Sequence, residues 1–121
     1  RSCFPVEKLN RIWQHLAMEK RKAHYTLSRV KALIQQGDYR VTRTALQCAA
    51  RDFAYIEASQ LAESVLALEV KDFYKSMTTL HDSKLWQDVY RPRIEETPAY
   101  VKVQIVDDTT VVISFKRLED A

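Results

Sequence analysis

Glycine is almost missing from this sequence: one residue, Gly37, in a chain of 121. Loops that cradle nucleotide phosphates need several, so GxGxxG and GxxxxGK[ST] loops are both excluded. Cysteine is nearly as scarce. Cys3 and Cys48 form no CxxC and no metal-ligand spacing, so they are expected to be buried or idle thiols of a reducing cytosol. The three histidines, His15, His24 and His81, are scattered and form no HExxH. No metal site is therefore expected. The serines form no nucleophile elbow. No apolar run approaches the roughly 20 residues of a membrane helix. The first stretch, "RSCFPVEKLNRIWQHLA", interleaves charges and has no continuous apolar core, so it does not read as a signal peptide.

What is present is enough for one packed domain, with 46% hydrophobic residues. The net charge of +3 hides a segregation. Residues 19–51 carry eight Lys/Arg against two acids, whereas residues 52–72 carry one lysine against five acids. A basic segment attracts polyanions, nucleic acid first; a solvated helix face would carry the same charges. Leu9, Ile12, Trp13 and Leu16 recur at helical spacing, with Pro5 suited to a first turn. Met18 opens a charged run and reads as a natural start. Residues 1–17 are then an N-terminal extension, helical or non-native, and 18–121 the single domain.

Three helices follow from period and caps. Thr26 precedes the stripe Leu27, Val30, Leu33, Ile34, and Gly37 falls where a left-handed C′ residue belongs. "DYRVT" is short and extended. Thr42 precedes Ala45, Leu46, Ala49 and Ala50, ending near Phe53. The third stripe is Ala58, Leu61, Ala62, Val65, Leu66. After Lys71 the period becomes two. "FYKSMTTL" and "LWQDVYRP" read as strands joined by "HDSK". "AYVKVQIV" puts Ala99, Val101, Val103 and Ile105 on one face. "DDTT" is a turn, and "VVISFK" puts Val111, Ile113 and Phe115 inward. The expected class is α+β, with helices on one face of a twisted, mainly antiparallel sheet.

The opposite sheet face collects chemistry. Tyr100, Lys102 and Gln104 share it on one strand, Ser114 and Lys116 on the next. Gln87, Arg91 and Arg93 share a parity on "WQDVYRPR". Lys75 shares parity with Phe73 and Met77. Such a face is either an ordinary solvated surface or a grip for phosphate, with arginine forks, lysine charges and stacking aromatics. RNA cleavage by the neighbouring 2′-hydroxyl needs a base, donors for the charge on phosphorus and an acid for the departing 5′-oxygen. Lysine and tyrosine would have to serve, and both have reference pKa values near 10. A lysine base needs that value depressed by positive neighbours or desolvation.

"DFYKSMTT" and, after a short turn, "WQDVYRPR" closely resemble the MqsR family, mRNA-cleaving toxins of bacterial type II toxin–antitoxin pairs. The resemblance extends more loosely over "MEKRKAHYTLSRVK", "RVTRTAL" and "VISFK". It covers about residues 18–118, leaves out 1–17 and is weakest over 52–70. It implies a RelE-like toxin fold and cleavage of single-stranded mRNA at GC-containing triplets, without metal, cofactor or ribosome. It also implies a cytoplasmic location and an MqsA-like antitoxin with a zinc-binding N-terminal domain and a helix-turn-helix DNA-binding domain. The implied catalytic residues are Lys75 of "FYK", Gln87 of "WQDVYRP", Tyr100 at the start of the next strand and Lys116 of "SFK". Lys75 or Lys116 would handle proton transfer or charge neutralisation, Gln87 would position phosphate or base, and Tyr100 would donate a proton or stack. Arg91, Arg93 and Lys102 are expected as RNA contacts. The alternative is a non-catalytic nucleic-acid or protein-binding module built on the basic 19–51 segment.

Overall fold

A computed structural model describes residues 18–79 and 81–119, so the expected N-terminal extension, residues 1–17, lies outside the described residues. The elements in chain order are β1 (Glu19–Lys20), α1 (Leu27–Gln35), β2 (Tyr39–Val41), α2 (Arg43–Phe53), α3 (Ala58–Leu66), a 3₁₀ turn (Val70–Asp72), β3 (Phe73–Thr78), β4 (Trp86–Tyr90), β5 (Arg93–Ile94), β6 (Thr97–Val106) and β7 (Thr109–Arg117).

The helices end where local chemistry stops them. The Thr26 hydroxyl accepts from the Arg29 amide at the start of α1. At its end Gly37 takes φ +88°, and the Asp38 N–H reaches back to the Leu33 carbonyl at 2.8 Å, which satisfies an orphan carbonyl of the last turn. Thr42 caps α2 by accepting from Ala45 N–H at 3.0 Å and donates its own hydroxyl proton to the Ile113 carbonyl at 2.9 Å. One threonine thus starts the helix and ties it to β7. Gln60 accepts from the Ile56 and Glu57 amides and closes the entry to α3.

The sheet order is β1-β3-β4-β6-β7-β2, with β5 paired to β6. Pairing is antiparallel except that β2 runs parallel to β7. The three α-helices of the described residues pack on one face. Val30 and Ile34 of α1, Ala45 and Ala49 of α2, and Leu61, Ala62 and Val65 of α3 close over Tyr90, Ala99, Val101, Val103, Val112 and Phe115. This is the expected α+β arrangement. The opposite face, free of helices among the described residues, is the one that carries the candidate site.

Two bulges set which side chains reach that face. On β3, Phe73 pairs with Tyr90 but Lys75 already pairs with Val89, so Tyr74 is the extra residue. Phe73 therefore packs edge-on against Tyr90 in the helix-side core, while Lys75 stands on the other face beside Val89. The expectation that Lys75 shares a face with Phe73 is corrected: it shares one with Met77 only. A bulge places two residues opposite one and reverses the alternation beyond it. On β7 the extra residue is Ile113, since Lys102 pairs with Ser114 and Val103 with Val112. Val112 thus replaces Val111 in the core, and Val111 falls opposite Gln104.

Both two-residue hairpin loops in the second half use left-handed backbone. Asp107 and Asp108 have φ 53° and 54°, and Glu95 and Glu96 have φ 50° and 73°. Two successive positive φ values give the twist that antiparallel strands prefer. Glutamates are poor residues for that conformation, which explains why the β5–β6 hairpin leaves no mark in the sequence. Cys48 also departs from expectation. It is buried and disulfide-bonded, not an idle thiol; Cys3 lies outside the described residues.

Candidate functional site

The strands align Lys75 on β3, Val89 on β4, Lys102 on β6 and Ser114 on β7 in one cross-sheet row. Tyr100 and Lys116 pair directly in the neighbouring row. Met77 pairs with Gln87, whose amide Nε2 donates to Gln104 Oε1 at 3.0 Å. Lys75, Gln87, Tyr100 and Lys116 are thereby brought to one face, together with Lys102. Strands lie about 4.8 Å apart, and β4 and β6 separate β3 from β7. The site is therefore a strip roughly 14 Å wide, long enough to follow a stretch of nucleic-acid backbone.

The strip has two cationic ends. At the β6–β7 end, Lys102 Nζ and Lys116 Nζ stand 5.9 Å and 5.3 Å from the Tyr100 ring centre. All three side chains belong to buried residues, and Met77, Val89 and Leu118 pack around Tyr100. At the β3 end, Lys75 is 6% exposed and donates from Nζ to Glu19 Oε2 at 2.7 Å. A lysine side chain offers a compact point charge of the kind that binds phosphate.

Tyr74 stands exposed at the bulge beside Lys75. The guanidinium carbon of Arg91 lies 4.2 Å from its ring centre, Lys75 Nζ 5.5 Å and the guanidinium carbon of Arg21 5.7 Å. An exposed ring among three cations is a surface on which a base can stack while its phosphates are neutralised. Arg91 is thus joined to the Lys75 end of the strip. Arg93 is not: Pro92 interrupts the chain after β4, and Arg93 sits on the separate strand β5. Its guanidinium donates to the Glu96 carbonyl at 2.8 Å and pairs with the Glu96 carboxylate at 3.8 Å. The cleft beside it, about 450 Å³, is lined by the end of α3, the 3₁₀ turn and Arg91 to Ile94, and holds none of the four residues proposed to be catalytic.

The segment after β1 is fastened to β4 by one buried carboxylate. Asp88, 0% exposed, accepts from the amides of His24 at 3.1 Å and Tyr25 at 2.9 Å. The Tyr25 hydroxyl donates to the Trp86 carbonyl at 2.8 Å. Tyr90 is 1% exposed within the helix-side core, and burial, with the Asp88 charge nearby, raises its phenol to about 12. His24 stacks on Trp86 and lies 3.0 Å from Lys20 Nζ. Burial and then that ammonium push its imidazole below the ordinary value, against the pull of Asp88. Lys20 also lies 4.2 Å from the Trp86 ring centre.

Two residues of this site escape sequence reasoning. Glu19 opens a charged run whose pattern does not suggest a strand. Tyr74 is visible only as an aromatic among cations, and its exposure depends on the bulge. Among the described residues no three His, Cys, Asp or Glu side chains gather as a metal site.

Comparison with known proteins agrees with the "FYK" and "WQDVYRP" motifs. The chain is 42% identical over 99 residues to the mRNA interferase toxin MqsR of Escherichia coli strain K12, covering 82% of this chain and 98% of that protein. Residues 22–117 match the family described as motility quorum-sensing regulator, toxin of MqsA. With that match spanning the helices α1 to α3, strands β2 to β7 and the strip from Lys75 to Lys116, the chain belongs to the MqsR toxin family.

Proposed function

We propose that this protein is an endoribonuclease toxin that cuts single-stranded mRNA and is held inactive by an antitoxin. The observation that carries the reading is the convergence of Lys75, Gln87, Tyr100 and Lys116 on one sheet face that carries no helix among the described residues. Cleavage proceeds by attack of the 2′-hydroxyl on the adjacent phosphorus, without metal or ribosome. Lys75 and Lys116 neutralise the charge that builds on the phosphate, Gln87 orients phosphate or base, and Tyr100 protonates the leaving oxygen or stacks. Such catalysis draws on positioning and fixed charge more than on strong acids and bases. Lys102 and Arg91 hold flanking phosphates; Arg93, engaged with its own hairpin, contributes less than the sequence suggests. GC-containing triplets as targets and an MqsA-like antitoxin with zinc-binding and helix-turn-helix domains are part of this reading, supported by the family resemblance.

Purified protein is incubated with single-stranded RNA in EDTA. Cleavage leaving 2′,3′-cyclic phosphate and 5′-hydroxyl ends is expected, with loss of activity in Lys75→Ala and Lys116→Ala. Intact RNA, or cleavage unaffected by both substitutions, rejects the proposal. In cells, expression alone should arrest growth and co-expression of the antitoxin should relieve it. The alternative, a binding module on segment 19–51, is weakened by the engagement of three of its eight cations within the protein. Arg29 pairs with Asp108, Lys31 donates to the Leu68 carbonyl and Arg51 pairs with Asp52.

A further inference from the structure

The reaction proposed above requires a group to take the 2′-hydroxyl proton, and neither lysine nor tyrosine is well suited to that near neutral pH. We propose that Glu19 is the general base. This inference rests on the ribonuclease reading and deepens it. Glu19 pairs with Met77 across β1 and β3 and so stands on the same face as Lys75. Among the described strand residues of that face it is the one carboxylate.

Its placement is built. Strand β1 has two residues, too few to hold itself, but its start is clamped. The Met18 N–H donates to Thr78 Oγ1 at 3.0 Å, and the Thr78 N–H donates to the Met18 carbonyl at 2.9 Å. Downstream, Asp88 holds the amides of His24 and Tyr25. The Glu19 side chain is 35% exposed. Its Oε2 is engaged by Lys75 Nζ, and no described residue donates to Oε1. One oxygen is thus fixed and the other is available to a hydroxyl of the substrate, with a cation beside it for the phosphate.

A carboxylate is ordinarily in its proton-accepting form at neutral pH, so this arrangement supplies what the cationic strip lacks. In the step, Glu19 takes the proton of the 2′-hydroxyl. The 2′-oxygen bonds to phosphorus, and the bond from phosphorus to the 5′-oxygen breaks. That oxygen leaves as a 5′-hydroxyl with a proton from the Tyr100–Lys116 end, and the other product carries a 2′,3′-cyclic phosphate. Lys75, bonded to Glu19, stabilises the phosphate charge as it develops.

The test uses the full chain and a single-stranded RNA oligomer that the wild type cuts. Binding is measured on the same oligomer with 2′-deoxyribose at the cut position. Glu19→Gln should lower the cleavage rate about 10²–10⁴-fold, the usual contribution of a positioned base, while changing affinity less than threefold. The residual rate should then rise with pH where the wild-type rate is flat. Glu19→Ala should regain activity on addition of formate, a small carboxylate that can take the vacated place. Glu19→Asp, which keeps the charge but draws it back, should lose less than Glu19→Gln. Thermal denaturation checks that each variant folds, and Glu19→Asp serves if the others do not. The inference is overturned if Glu19→Gln keeps more than about a hundredth of wild-type activity, short of the loss expected for a positioned base. It is also overturned if formate does not restore Glu19→Ala and the Glu19→Gln rate keeps the wild-type pH profile, since Glu19 would then only position Lys75. A wild type that fails to cut RNA removes the ribonuclease reading itself; a cutting wild type matched by Glu19→Gln removes this inference alone.

Discussion

Asp88→Ala should destabilise the protein by about 3 kcal/mol, because it takes away the acceptor of two amide hydrogen bonds, from His24 and Tyr25. A hydrogen bond to a charged acceptor contributes about 1.5–3 kcal/mol, which sets an upper range of about 3–6 kcal/mol for the pair. Two effects reduce it. His24 is exposed, so its freed amide finds water, and removing Asp88 relieves the cost of a carboxylate with no solvent exposure. Tyr25 is half-buried and its amide is poorly compensated. At about 4–8 °C per kcal/mol for a domain near 100 residues, the midpoint should fall by roughly 12–24 °C. Urea unfolding followed by circular dichroism measures the free energy, and a heating scan the midpoint. The same substitution loosens the segment that follows β1, so RNA cleavage should fall at temperatures where the variant is still folded. A loss of stability below about 0.5 kcal/mol refutes the reasoning, since the two amides would then be as well satisfied without the carboxylate.

Tyr74→Ala should weaken binding of uncleavable single-stranded RNA about tenfold, within the ~1–3 kcal/mol ascribed to one stacked base, whereas Tyr74→Phe should bind like the wild type; equal affinity for all three rejects Tyr74 as a stacking surface. Replacing Glu95–Glu96 by Asn–Gly should stabilise by about 1 kcal/mol in urea unfolding, because both positions hold positive φ and each non-glycine residue there costs about that much. Burial alone would raise the Asp52 carboxyl, but the Arg51 guanidinium and the Arg117 amide outweigh it and hold it below the usual range. A carboxyl depressed on folding adds stability above its unfolded value near 4 and loses it as pH falls through the folded value. Asp52→Asn should therefore be less stable than the wild type at pH 7, with the difference shrinking below about pH 4 in denaturation series at several pH values.

The helices were legible because their signals are local. Thr26, Thr42 and Gly37 act within one turn of where they stand, and the stripes of α1, α2 and α3 need only the helical period. The four residues of the strip were legible as a motif, since "FYK", "WQDVYRP" and "SFK" can be matched without knowing how strands pair. Their common face was legible only in part. Tyr100, Lys102 and Gln104 follow simple alternation along β6, but Lys75 does not follow Phe73. Arg93 was misplaced because "WQDVYRPR" reads as one strand, and the turn that separates β5 from β6 is made by glutamates.

Local period, caps and composition by themselves determined the three helices, the change to strands after Lys71 and the identity of the cationic residues. The tertiary structure alone decided which of those residues meet. Strand register is set by pairing between distant segments and by bulges, and a single extra residue turns every later side chain to the other face. The Tyr74 bulge is what sends Phe73 to the core and Lys75 to the site. The pairing of Glu19 with Met77, 58 positions away in the chain, is what puts a carboxylate beside Lys75. Neither contact is encoded near the residues it joins, so neither could be read until the sheet was assembled.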